Sequence, residues 1–232
     1  MADAESRAPM RPPGEDHALR APAAPARQAL VVFALAYGLL HHLGGALGGL
    51  GTVGPTRWAD WAELLVPYAV LVPAAVALAA GGARRTVWAV YLVGALLYAE
   101  GKGVHVAANS IGNVAPGPAS HLWDEVVGHY LWYAGAALVL AALAATFARS
   151  APPHGIGGYL LALLVGLTHA TNSLEGGTAV FGVVVAIVGC GWGWSTRAGL
   201  GRLLLVVYAP AVLVLVGYGL WHGGFPQPSE LG

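Results

Sequence analysis

Charge is what this chain has least of. Only 9% of its 232 residues are Asp, Glu, Lys or Arg, 57% are hydrophobic, and mean hydropathy is +0.65. A soluble domain carries about 25% charged residues, so a water-soluble globule is excluded and a polytopic membrane protein is expected. Net charge is zero, which leaves no basic surface for nucleic acid. The single cysteine, Cys190, excludes a disulfide framework and a multi-thiolate metal site. Methionine occurs only at Met1 and Met10, which removes the thioether ligands a Cu(I) carrier favours. Residues 1–27, rich in Ala, Pro and Arg, have no short apolar core followed by a cleavage site. They read as a disordered cytoplasmic tail.

What the chain has is long apolar runs. A helix needs about 20 such residues to cross a bilayer. Seven segments qualify: 28–50, 60–81, 86–109, 121–147, 156–174, 177–194 and 202–222. Turn-forming residues separate them, among them Gly54-Pro55, Gly81-Gly82, Pro116-Gly117-Pro118, Pro152-Pro153 and Gly176-Gly177. The expected architecture is therefore all-α, a seven-helix transmembrane domain over 28–224 with a short extracytoplasmic tail at 225–232. Arg7, Arg11, Arg20, Arg27, Arg84, Arg85, Arg149, Arg197 and Arg202 fall on alternate loops, whereas the opposite loops hold only Arg57. The excess of positive residues on the cytoplasmic side then puts the N-terminus inside and the C-terminus outside, in a multi-pass protein of the cell membrane.

Depth follows from a rise of about 1.5 Å per residue. His42, Glu100 and His169 each come out roughly 20 Å from the inner boundary, and His129 about 12 Å below the outer one. His105 and Asn109 share a face of the third span at i, i+4. In the fourth, His121, Glu125 and His129 form an i, i+4, i+8 stripe with Asp124 one turn from His121. In the fifth, His169, Asn172 and Glu175 continue outward. Beyond the tail, the acids Asp60, Glu63, Glu100, Asp124, Glu125, Glu175 and Glu230 all fall in the outer half of the membrane or outside it.

Ionisable residues inside a membrane usually face a bundle interior and carry function. Imidazole mixed with carboxylate suits zinc, iron or manganese, whereas calcium and magnesium prefer oxygen alone. The expected ligands are His105, His129 and His169, completed by His121 or Asp124. Glu100 and Glu125 are expected as orienting groups or the proton carrier, with His42, Asn109, Asn172 and Glu175 in support. Plainer roles compete. Carboxylates in a first helical turn, as Asp124 and Glu125 are, favour the helix dipole without any further purpose. His121 can be interfacial, Asn109 and Asn172 can be interhelical hydrogen-bonding groups, and of adjacent His41 and His42 only one faces inward. Lys102, the only lysine, is expected to pair with Glu100, Asp124 or Glu125.

The pattern points to an integral-membrane metalloenzyme whose divalent ion, zinc first and iron or manganese next, activates water for attack on a lipid or other apolar substrate. An oxidative reaction is open to the same ligands. A haem-binding electron-transfer subunit would explain the histidines but leave the carboxylates idle. A metal-ion or proton transporter needs polar groups through both halves of the membrane, and the inner halves are almost uniformly apolar.

Overall fold

The computed structural model describes residues 19–196 and 199–231. Most of the tail expected to be disordered, with Arg7, Arg11 and His17, lies outside the described residues, as do Arg197 and Gly232. The described chain is helical apart from a two-residue hairpin. In order the elements are α1 (Ala24–Leu40), α2 (Leu43–Leu47) with a 3₁₀ turn at Gly48–Leu50, the antiparallel strands β1 (Thr52–Val53) and β2 (Thr56–Arg57), α3 (Trp58–Glu63), α4 (Val66–Ala80), α5 (Arg85–Val114) and α6 (Pro118–His121). A π-helical segment at Leu122–Gly128 then leads into α7 (His129–Phe147), followed by α8 (Gly157–Glu175), α9 (Ala179–Thr196), α10 (Leu203–His222) and a 3₁₀ turn at Pro228–Glu230.

Each of the seven segments expected from the sequence is largely helical. By length and composition, Trp58–Ala80, Pro118–Phe147, Ala179–Thr196 and Gly199–His222 are able to cross a membrane. Ala24–Leu50 makes a fifth if its two helices, bent by 57°, count as one span. Helices α5 and α8 are not among these because their C-terminal halves are polar: Glu100, Lys102, His105 and Asn109 on one, His169, Asn172 and Glu175 on the other. The break after α1 falls at His41-His42, where glycines at 44, 45, 48, 49 and 51 follow. Each costs a helix about 1 kcal/mol relative to alanine, so the chain bends there at little penalty.

Around the bundle, α5 packs along α7, α4 lies against both, α1 joins α4 to α8, and α10 lies between α8 and α9. Large apolar side chains, including Leu96, Val188, Leu213 and Leu220, point outward, as lipid-facing residues do. The α5–α7 contact sets the site. A Cβ on Gly101 would overlap the backbone of Trp132, and one on Gly135 the backbone of Tyr98. A Cβ on Gly128 would come within 2.9 Å of the His105 nitrogen. Glycine at these positions lets the two backbones approach as small residues do in membrane helix pairs, and it brings residues 105 and 129 face to face.

Candidate metal centre

Three side chains from α5 and the start of the α7 helix meet in this contact. The ligand atoms of His105, Asp124 and His129 all lie within 4.8 Å of one another. His105 Nδ1 and Asp124 Oδ1 are 2.6 Å apart, and the two imidazole rings lie 4.5 Å apart, centroid to centroid. His105 Nδ1 and Asp124 Oδ1 are close enough to pair with each other, and neither has a further partner among the described residues. A cation bound by both would take the place of that pairing.

The π-helix is what creates this arrangement. In a regular α-helix, residues five apart point about 140° away from each other. Five residues make roughly one π turn, so Asp124 and His129 share a face. Of the expected His121, Glu125, His129 stripe, Glu125 still meets His129, whereas His121 is exposed and does not join the cluster. Single π turns in α-helices are frequent at functional sites.

Each imidazole has a carboxylate beside it. His129 turns Nδ1 towards Glu125, 3.2 Å from its backbone oxygen and 3.4 Å from carboxylate Oε2, and stacks on Tyr133. His105 presents Nε2 to Glu63 Oε2 at 4.0 Å. Glu63 is in turn paired with the buried Lys102 amine, which lies 4.1 Å over the Trp132 ring. The Glu63 carboxylate rests against Gly44 of α2, where any Cβ would overlap it. Glu125 Oε2 also accepts a hydrogen bond from Gln227 Nε2 at 2.8 Å. The segment after α10 thus folds back over the end of the bundle that carries these residues, turning at Gly223 (φ 65°) and held by Tyr218, whose hydroxyl donates to the Pro226 carbonyl.

The geometry suits an ion of zinc's size. Donors about 2.1 Å from a tetrahedral metal lie roughly 3.4 Å from one another. The 2.6 Å pair must open by under 1 Å, and no pair within 4.8 Å must close by more than about 1.4 Å. Three protein ligands leave one coordination position open.

The other residues singled out from the sequence lie elsewhere. His169 is buried in the far half of the bundle, its Nε2 3.1 Å from the Gly182 carbonyl and its ring edge-on to Tyr208. Because α8 packs on α1 and α10 rather than on α5, matching depth does not bring His169 to the cluster. Glu100, His42 and Glu175 are exposed. Of the adjacent histidines, it is His41 that faces inward: Tyr98 Oη lies 2.9 Å from its Nε2, and its ring stacks on Trp132. Asn109 accepts from Asn113 at the exposed end of α5, and Asn172 is buried with its amide nitrogen unpartnered among the described residues.

Lys102 pairs with Glu63 rather than with Glu100, Asp124 or Glu125. Glu63, Trp132, Gln227 and His41 are the contributors that pattern reading missed. A lone lysine in an apolar run demands an acid, and Glu63 was among the acids available, but nothing in the sequence put α3 against α5.

No protein family, curated protein or solved structure matches the chain, so the functional reading rests on this geometry.

Proposed function

We propose that the chain is a seven-helix integral membrane metalloenzyme of the cell membrane, with its N-terminus in the cytoplasm and its site in the outer half of the bilayer. His105, Asp124 and His129 hold a divalent ion, zinc before iron or manganese, and the substrate is a lipid or another apolar molecule reached from the membrane. The observation that carries the reading is the carboxylate beside each imidazole. Metal-ligating histidines almost always present their second ring nitrogen to a carboxylate, carbonyl or water, which fixes the tautomer and raises basicity. Here Glu125 Oε2 lies 3.4 Å from His129 Nδ1, and Glu63 Oε2 is a charged neighbour of His105 Nε2 at 4.0 Å, beyond hydrogen-bond distance.

The ion would supply a Lewis-acid position for a substrate oxygen. The chain's own groups do the rest. Glu125, half-buried and tied to Gln227, is the group placed to take up and return a proton. The Lys102–Glu63 pair holds His105 in register, and Trp132 and Tyr133 wall the site from below. Beneath them the core is apolar, with Ala136, Val139 and Leu143 buried. That core favours a site opening outward over a transport path. A haem with two axial histidines needs its imidazoles on opposite porphyrin faces, for which rings 4.5 Å apart leave no room.

Elemental analysis of detergent-purified protein tests the reading. Near-stoichiometric zinc, iron or manganese is expected, lost in His105→Ala, Asp124→Ala and His129→Ala and kept in His169→Ala. A folded wild-type protein without metal overturns it.

A further inference from the structure

Two residues that the metal centre does not use, Glu100 and His42, share an unusual position. Both side chains are exposed, and neither has a hydrogen-bond or ion-pair partner among the described residues. They also lie at one level of the bundle. Their sequence neighbours touch, Tyr98 Oη lying 2.9 Å from His41 Nε2, which ties the end of α1 to the middle of α5 without any counting of span residues. On the proposed seven-span reading, on which this inference rests, that level is inside the hydrocarbon. A carboxylate there, with Leu92, Val93 and Leu96 just inward of it at 52–70% exposure, is costly enough to require a partner.

We infer that copies of this chain pack head to tail in the membrane, with Glu100 of one copy accepting a hydrogen bond from the His42 imidazole of the next. The surfaces beside the two residues match in kind and in register. Inward of His42, helices α1 and α4 bound an apolar groove of about 670 Å³, lined by Val32, Leu35, Leu39, Tyr68 and Val72. Inward of Glu100, Leu92 and Leu96 stand out from α5. Since α1 and α5 run in the same direction on the proposed topology, setting Glu100 against His42 sets Leu96 into the neighbour's groove. Outward of Glu100, Gly103 has no atom within 4 Å of where a Cβ would stand. With Ala107 one turn on, it forms the small-residue spacing that lets membrane helices approach closely. A head-to-tail contact of this kind builds a closed ring if the rotation between copies permits it.

Cysteine cross-linking tests the contact. In a Cys190→Ser background, one tagged copy carries Glu100→Cys and a differently tagged copy carries His42→Cys, both expressed in one membrane. Oxidation should yield a disulfide-linked dimer containing both tags, and neither variant expressed alone should cross-link. Self-cross-linking of Glu100→Cys, or no mixed dimer, overturns the head-to-tail packing. A membrane-impermeant maleimide should leave Glu100→Cys unlabelled before oxidation; labelling overturns the span reading instead. Native mass spectrometry supplies the second readout. Wild-type chains should be oligomeric and Glu100→Gln chains monomeric with unchanged metal content, whereas equal oligomeric state in both overturns the contact.

Discussion

Substituting Gly128 by alanine puts the geometry of the centre to a direct test. The added Cβ would lie 2.9 Å from the His105 nitrogen, 3.0 Å from its Cα and 2.9 Å from the Trp123 carbonyl oxygen. Carbon contacts settle at about 3.5–4.0 Å, so something must move by roughly 0.6–1 Å. All three neighbours are backbone atoms, so no side chain can yield by changing rotamer. Overpacking of this kind costs about 1–3 kcal/mol. The strain falls on the backbone of one ligand and on the π segment that carries another. Metal binding must draw His105 back against that strain, which lowers affinity by about 10- to 100-fold at 1.4 kcal/mol per factor of ten. Competition with a chromophoric chelator measures the change. Gly191→Ala, on α9 with nothing within 4 Å of the new methyl, is the control and should bind as wild type. If Gly128→Ala binds metal as tightly as wild type, or Gly191→Ala loses as much, the α5–α7 contact does not set the site.

Three other outcomes are expected. Glu63→Gln leaves the Lys102 amine, 2% exposed, without its countercharge, which for a buried pair costs about 3–5 kcal/mol. Chemical denaturation in detergent should show that loss and its recovery in Glu63→Gln/Lys102→Met; an unchanged midpoint in the single variant contradicts the pairing. Metal affinity should fall as pH is lowered, because neutral rings bind metal and protonated ones do not. A titration flat from pH 8 to 5 would argue against histidine ligands. His169→Ala should lower thermal stability, through loss of its contacts to the Gly182 carbonyl and Tyr208, while retaining metal; loss of metal there would return His169 to the ligand set.

The helical class and the positions of the long helices were legible in the sequence because apolar run length and Gly/Pro breaks are local properties. His105, Asp124 and His129, which meet in the structure, were also legible, since imidazole and carboxylate are rare in apolar sequence. What depth does not report is direction around the bundle. His169 faces α9–α10 and Glu100 faces the outside, so neither joins the centre that their counted depth suggested. The π turn is a second gap: an α-helical period applied to 121–129 aligned His121 with His129, whereas the wider turn aligns Asp124 with His129. Glu63 and Gln227 were the least legible, because each reaches the centre from an element distant in sequence.

X-ray absorption at the edge of the bound metal reads whether His105, Asp124 and His129 ligate it. A shell of low-Z donors at about 2.0–2.2 Å with the multiple-scattering signature of two imidazoles is expected, reduced to one imidazole in His129→Ala or emptied altogether. A shell with a sulfur donor, or one that still holds two imidazoles after that substitution, would contradict that ligand set.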